Sequence, residues 1–362
     1  MERRSLTTAE AVQQVNQGLD EDEKRQIEED LLIIHRKIDV ENAKIVSTGS
    51  TLIDLAISGK RRYGGGLPGG IIIELYGPSG AGKTALLAEL CGSAQKRGGE
   101  VGFDDPEARL DQEYSRIYGV SVSTDFFDYH RPNTVSEMFD CIYGWKPKNP
   151  DVVNVRAADS IAALSTNLEM AEGDKMSMRR AKEFSEGLRK TCRMIANKNW
   201  LVAFTNQVRQ GGTMGGEVTP GGMGIPFYAS LRLRVAPAFQ KSKILKKVSF
   251  TINGHTGEEE RVIGINSTVR ITKSSIDEPF REAPFSIIFG YGVDDIRANL
   301  QYLKDKLGGK SYDAFTKSFV SLDQAVDHIE QSGTETKLRE KTIDTWNEIE
   351  KQTRIQRKPK KR

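Results

Sequence analysis

The chain has 362 residues, 28% of them charged and 37% hydrophobic, with a net charge of +3. That is the composition of a globular protein with one sizeable core and terminal additions, and no apolar run reaches membrane-spanning length. Cys91, Cys141 and Cys192 and the four histidines are scattered, which excludes a disulfide framework and a zinc-type cluster and fits a reducing, cytoplasmic setting; the polar N-terminus has no apolar signal core.

Residues 1–45 read as a charged helical appendage, an oligomerisation segment whose one apolar patch, Leu31-Leu32-Ile33-Ile34, suits a partner. From 46 to 292, β-branched runs alternate with helical patterns, which predicts an α/β core with a mostly parallel twisted sheet flanked by helices. Strands are expected at 70–76, 100–104, 152–159, 200–206, 228–235 and 268–272, and helices at 50–57, 84–97, 134–145 and 178–198. Arg156 falls inside an expected buried strand, where its charge needs a partner or an exit. The segment 211–224 is too rich in glycine to fold alone, and a functional loop ordered by a ligand is expected there. Residues 293–362 become amphipathic and helical, a C-terminal lobe ending in a basic tail that is either a solvated face or a weak nucleic-acid contact.

The densest signal is Gly77-Pro78-Ser79-Gly80-Ala81-Gly82-Lys83-Thr84, between the apolar run 71–76 and a helical pattern. This is a complete phosphate-binding loop in its proper setting. Its glycines let the backbone curl so that successive N–H groups point at phosphate oxygens, and the following helix adds its positive end. Lys83 would reach the β- and γ-phosphates of ATP, and Thr84 would offer its hydroxyl to Mg²⁺.

Phosphoryl transfer to water also needs a carboxylate on the magnesium side and a group that polarises the water. Asp159, ending the run 152–158, is expected to hold Mg²⁺ through water; a helix cap is the alternative reading. Glu107, just past the strand at 100–104, is placed to orient the water; a surface turn acid is its alternative.

These phrases, with Ser47-Thr48-Gly49-Ser50, Leu67-Pro68-Gly69-Gly70, Asp105-Pro106-Glu107-Ala108, Asp159-Ser160-Ile161-Ala162-Ala163-Leu164, Thr205-Asn206-Gln207-Val208-Arg209 and Phe227-Tyr228-Ala229-Ser230, make the chain resemble the bacterial and phage RecA-type recombinases over about residues 45–293. The resemblance implies that Glu107 is the catalytic glutamate, that Tyr114 stacks on adenine with Asp111 near the base, and that Gln207 senses the γ-phosphate. It further implies that loops at about 169–180 and 208–226 hold single-stranded DNA. Lys182, Ser185, Arg189 and Arg209, with the backbone N–H groups of Gly221 and Gly222, match positions that contact its phosphates. Such contacts are sequence-tolerant and salt-dependent.

Three departures stand out. Lys273 matches one of two lysines that reach a neighbour's γ-phosphate, but Ser274-Ser275 follow it; Pro226 stands where a basic residue is usual; and Lys60-Arg61-Arg62-Tyr63-Gly64 is an extra basic insertion. The function the resemblance implies is an ATP-dependent recombinase that forms filaments on single-stranded DNA and exchanges strands with a homologous duplex. A ring-forming motor of the same core, or a DNA-coating protein with weak ATPase activity, are the alternatives.

Overall fold

The structure, a computed structural model, describes residues 44–353 apart from 123–124, 168–169, 171–176, 211–216 and 254. The expected oligomerisation segment, apart from its last two residues, and the basic tail from 354 on lie outside the described residues. Helix α1 (Thr51–Ser58) starts at Ser50, whose hydroxyl accepts from the Ile53 N–H at 3.4 Å, and it is buried along its whole length. Strand β1 (Ile71–Gly77) then runs through the middle of the molecule into α2 (Lys83–Lys96). Next come β2 (Val101–Asp104), α3 (Gln112–Ile117), β3 (Phe127–His130), α4 (Val135–Gly144), β4 (Asn154–Ala158), α5 (Ser177–Ile195) and β5 (Trp200–Gln207). The chain continues through α6 (Gly224–Tyr228), β6 (Leu231–Pro237), the hairpin β7 (Lys243–Ile252) and β8 (His255–Ser274), then β9 (Glu282–Ile288) and β10 (Gly292–Val293). Three helices follow, α7 (Asp295–Leu307), α8 (Leu322–Ser332) and α9 (Glu335–Thr353).

Among the described residues these strands form one sheet in the order β10-β9-β8-β6-β1-β5-β4-β2-β3, with β7 paired to β8. The six from β6 to β3 are parallel, and β7 to β10 extend the sheet antiparallel. Parallel strands covered by helices on both faces read as near-continuous apolar runs, which is why β1 and β5 are plain in the sequence. Their alternate residues feed two cores. Ile72 packs with Phe139, Phe184 and Trp200 under α4 and α5, whereas Ile73 and Leu75 pack with Leu86 and Leu90 of α2. Ile296, Leu300 and Leu303 of α7 belong to the second cluster, so the C-terminal helices share the core of α1 and α2.

Several expected strands need correction. The segment at 228–235 starts later, at Leu231, because Tyr228 still belongs to α6; the one at 268–272 is the end of the 20-residue β8. The strand at 152–159 narrows to Asn154–Ala158. β3 and β9 were not expected: β3 alternates apolar Phe127 and Tyr129 with polar Asp128 and His130, and that polar face turns out to be occupied. There Arg156, fully buried on β4, forms a fork onto Asp104 of β2 and donates to Asp128 at 2.7 Å, with the Trp145 ring 5.8 Å from its guanidinium. The arginine has partners rather than an exit.

Candidate functional site

At the carboxyl end of β1 the loop 77–84 is shaped by its glycines. Gly77 has φ 154° and a Cβ there would lie 1.8 Å from the Val235 carbonyl oxygen; Gly82 has φ 98°, and its Cβ would meet Ile287 Cδ1 at 2.6 Å. Neither position tolerates a side chain. Gly80 is also left-handed, at φ 71°, and Ala81 is buried beneath the turn. Pro78 is half-buried and Ser79 exposed. The Lys83 ammonium donates to the carbonyls of Gly77 and Pro78 at 3.0 and 2.7 Å. Burial lowers its pKa below the ordinary lysine value against the pull of Asp159 and Glu107.

A cavity of about 590 Å³ opens beside this loop. Lys83, Thr84, Glu107, Asp111, Asp159 and Gln207, drawn from four separate stretches of chain, all line it. Asp159 follows β4, accepts from the Thr205 hydroxyl and is hydrogen-bonded by Thr84; burial raises its pKa while those two bonds oppose the rise. Glu107 is fixed at both oxygens, accepting from the Ser160 hydroxyl at 2.9 Å and pairing with the Arg109 guanidinium at 2.8 Å. Its turn is pinned by Asp105, which accepts from the Arg109 and Leu110 N–H groups at 3.1 and 2.7 Å and from the Tyr129 hydroxyl at 2.7 Å. Hard oxygen donors beside a phosphate cradle suit a magnesium-bound nucleotide, and the cradle a Cβ would fill suits its phosphates.

The cavity is also lined by Ile265 of β8, Ile287 of β9 and Phe289, with Ile287 packed directly against Gly82 of the loop. Sequence reasoning missed these three, as well as Arg109, Asp105 and Ser160. Apolar lining beside a phosphate cradle suits a base, but these residues lie far along the chain from the loop, and nothing local marks them. Tyr114 falls in α3, and its side chain lies outside the described residues.

From the cavity, polar contacts lead toward the glycine-rich segment. Asn206, beside Gln207, donates its amide to Glu74 at 2.9 Å and to the Pro220 carbonyl at 3.0 Å; Glu74 pairs in turn with Arg232 at 2.6 Å. Part of the segment is regular, since Arg209–Gln210 pairs antiparallel with Glu217–Val218. Lys182, Ser185 and Arg189 share one face of α5 through their spacing of three and four, and Lys182 and Arg189 are exposed. Gly221 and Gly222, at φ 97° and 71°, bring the second loop onto that helix: a Cβ on Gly222 would lie 2.5 Å from Ala181 Cβ. The structure thus sets Gly221, Gly222 and Gly224 against Phe184, Ala181 and Ser185 of α5, with Lys182 next to Ala181 in the chain, while Arg209 is exposed on the short ladder.

Lys273 does not line this cavity. It donates to the Pro226 and Phe227 carbonyls at 2.9 and 2.7 Å, eight residues along β8 from Ile265, or about 26 Å at strand rise. Arg281, the nearest basic side chain in sequence after Ser275, is held by Asp277, Glu278 and Glu350. Arg270 pairs with Glu282.

The sequence pattern of the RecA N-terminal domain matches residues 13–294. The protein named "Protein RecA" from Thermus thermophilus is 35% identical over 257 residues, covering 70% of this chain and 69% of its own. The same-named protein of Rippkaea orientalis is 37% identical over 253 residues, 68% and 66% of the two chains, and that of Sinorhizobium medicae 34% over 265 residues, 71% and 66%. With its phosphate loop, strand-end carboxylates and strand-end glutamine converging on one cavity, the chain belongs to the RecA family of recombinases.

Proposed function

We propose that this recombinase binds ATP with Mg²⁺ in the cavity at 77–84, polymerises on single-stranded DNA when the triphosphate is held, pairs that strand with a homologous duplex and exchanges strands. The observation that carries the reading is the convergence of Lys83, Thr84, Glu107, Asp159 and Gln207 on one cavity whose Asn206 neighbour reaches the loop at Pro220. Thr84 and Asp159 would hold the metal, which when bound neutralises charge on the phosphate oxygens. Lys83 leaves its two carbonyl partners for phosphate oxygen. Glu107, aligned by Ser160 and Arg109, accepts a hydrogen bond from the attacking water and orients it in line.

Gln207, exposed at the end of β5, donates to the terminal phosphate and so biases Asn206, which is bonded to Pro220. Loop 217–224 then follows the nucleotide state against α5, where Lys182, Ser185, Arg189 and Arg209 meet DNA phosphates. Lys273, tied to the Pro226 and Phe227 carbonyls and absent from the lining of its own cavity, serves a neighbour's. Sequence specificity comes from base pairing between strands, since phosphate contacts carry none.

ATP hydrolysis measured with and without single-stranded DNA, beside negative-stain images of the same mixtures, tests the reading. Stimulated turnover with helical filaments is expected. Rings, or coated DNA without turnover, would replace it with a motor or a coat protein.

A further inference from the structure

The hairpin β7–β8 extends well past the sheet that carries the site. β7 pairs with β8 alone, and β8 meets β9 only from Gly264 onward, so its stretch 255–262 has an open outer edge as well. The result is a two-stranded ribbon roughly 25 Å long at strand rise, with a row of unpaired backbone groups along each side. A ribbon of two strands is marginal in water unless something covers it. Leu245, Val248, Ile252 and Val262 are 52%, 41%, 63% and 40% exposed along it.

Charge separates by strand. β7 carries Lys243, Lys246 and Lys247 with no acid, whereas the free stretch of β8 carries Glu258, Glu259 and Glu260 against one Arg261. Within the ribbon Lys247 faces Glu260 at 3.9 Å and Arg261 pairs with Glu259 at 2.8 Å; among the described residues Lys243, Lys246 and Glu258 have no ion pair. A lysine-bearing edge repels another edge of the same kind. Here the two edges carry opposite signs. Like edges repel and unlike edges attract, so a second copy docks in one sense only, basic edge to acidic edge. An interface between different surfaces of identical chains does not close on itself after one contact, and repeats into an open assembly.

The root of the ribbon adds a position. Ile265 of β8, next to the free stretch, lines the nucleotide cavity, so the ribbon projects from the cavity's own wall.

We propose that the β7–β8 ribbon is an assembly surface for a second copy of this chain, with the basic β7 edge of one protomer lying along the acidic 255–262 edge of the next. The inference rests on the proposed polymerisation and adds a contact to it. Lys246 and Lys247 of one copy would face Glu258 and Glu260 of its neighbour, and the unpaired backbone groups of both edges would find partners.

The test uses two variants of the full chain, Lys246→Glu with Lys247→Glu, and Glu258→Lys with Glu260→Lys. Assembly on single-stranded DNA with ATP is followed by sedimentation velocity, and binding of a fluorescent ATP analogue checks that both variants fold. Each variant alone should raise the concentration for half-assembly about tenfold or more, because like charges then meet along the contact. An equimolar mixture should return to within about twofold of the wild type, since in the mixture every basic edge meets an acidic one. Variants that assemble as the wild type does overturn the ribbon contact and leave the polymerisation reading standing. A mixture no better than its components shows a defect within each hairpin and overturns it too. Loss with the first variant and gain with the second, each proportional to DNA affinity, would reassign the ribbon to nucleic acid. A wild-type chain that fails to assemble overturns both.

Discussion

In the proposed reaction Glu107 carries the water-orienting role, and it is held at two points. Its Ser160 and Arg109 contacts fix the carboxylate plane beside the phosphate cradle. Glu107→Gln keeps the shape and loses the acceptor strength, so ATP and DNA binding should persist while turnover falls about 10²- to 10⁴-fold; unchanged turnover would move the water-orienting role elsewhere. Glu89, on the far side of α2, behaves differently. Burial raises its pKa to about 7, with the Val293 N–H opposing and Asp295 and Asp54 adding to the rise. A carboxyl that holds its proton more tightly folded than unfolded costs stability as pH climbs from its ordinary value of 4.5 through about 7. Glu89→Gln should therefore match the wild type near pH 4 and be the more stable near pH 8, with Asp54, raised to about 6 by burial, leaving part of the slope. Urea unfolding at the two pH values checks it, and an equal deficit at both would refute it.

At the scale of elements, the three strands farthest from the antiparallel extension are tied by charge as well as by backbone. Arg156 of β4 joins Asp104 of β2 to Asp128 of β3, and Asp128 also holds His130 at 2.9 Å. Burial lowers the His130 pKa, but the hydrogen bonds to Asp128 and Cys141 outweigh it and hold the value at about 10, so the stabilisation it brings fades as pH rises through that value. Replacing Arg156 by Met leaves Asp104 buried without a partner and should cost about 3–5 kcal/mol; adding Asp104→Asn should recover part of the loss in denaturant unfolding. This network also explains what the sequence concealed. β1, β5 and the phosphate loop were legible because buried parallel strands write themselves as apolar runs. β3 was not, because its polar residues are spent on Arg156 of β4 and on each other, and the partners that Arg156 needs, Asp104 and Asp128, become visible only when the strands are side by side. The exposed ribbon of β7 and β8 has too little apolar periodicity to stand out as strand. Lys182, Ser185 and Arg189 were legible only through the family resemblance, and the approach of Gly221 and Gly222 to their helix depends on close packing that only the fold reveals. Arg209→Ala should weaken single-stranded DNA binding about equally across sequences and lower the salt slope by about one; a sequence-selective loss would contradict phosphate contact.

For the whole molecule, the cavity stands at the meeting of two halves of the sheet. The phosphate loop, the carboxylates and Gln207 come from the parallel strands, and the apolar wall of Ile265, Ile287 and Phe289 comes from the antiparallel extension. The first half was readable from local motifs; the second was not, since its residues acquire meaning only where the sheet folds them against α2. The extra basic insertion at 60–64 serves this larger frame, because Lys60 pairs with Glu278 and the Tyr63 hydroxyl donates to Asp344 of α9 at 3.1 Å. Lys83→Ala should remove nucleotide-dependent assembly altogether, and strand exchange at wild-type level by that variant would refute the coupling. The most direct test is the affinity of the purified chain for a single-stranded oligonucleotide with a slowly hydrolysed ATP analogue, with ADP and without nucleotide. Tight binding is predicted with the analogue and at least tenfold weaker binding in the other two conditions. Equal affinity in all three would contradict the claim that the nucleotide governs the hold on DNA.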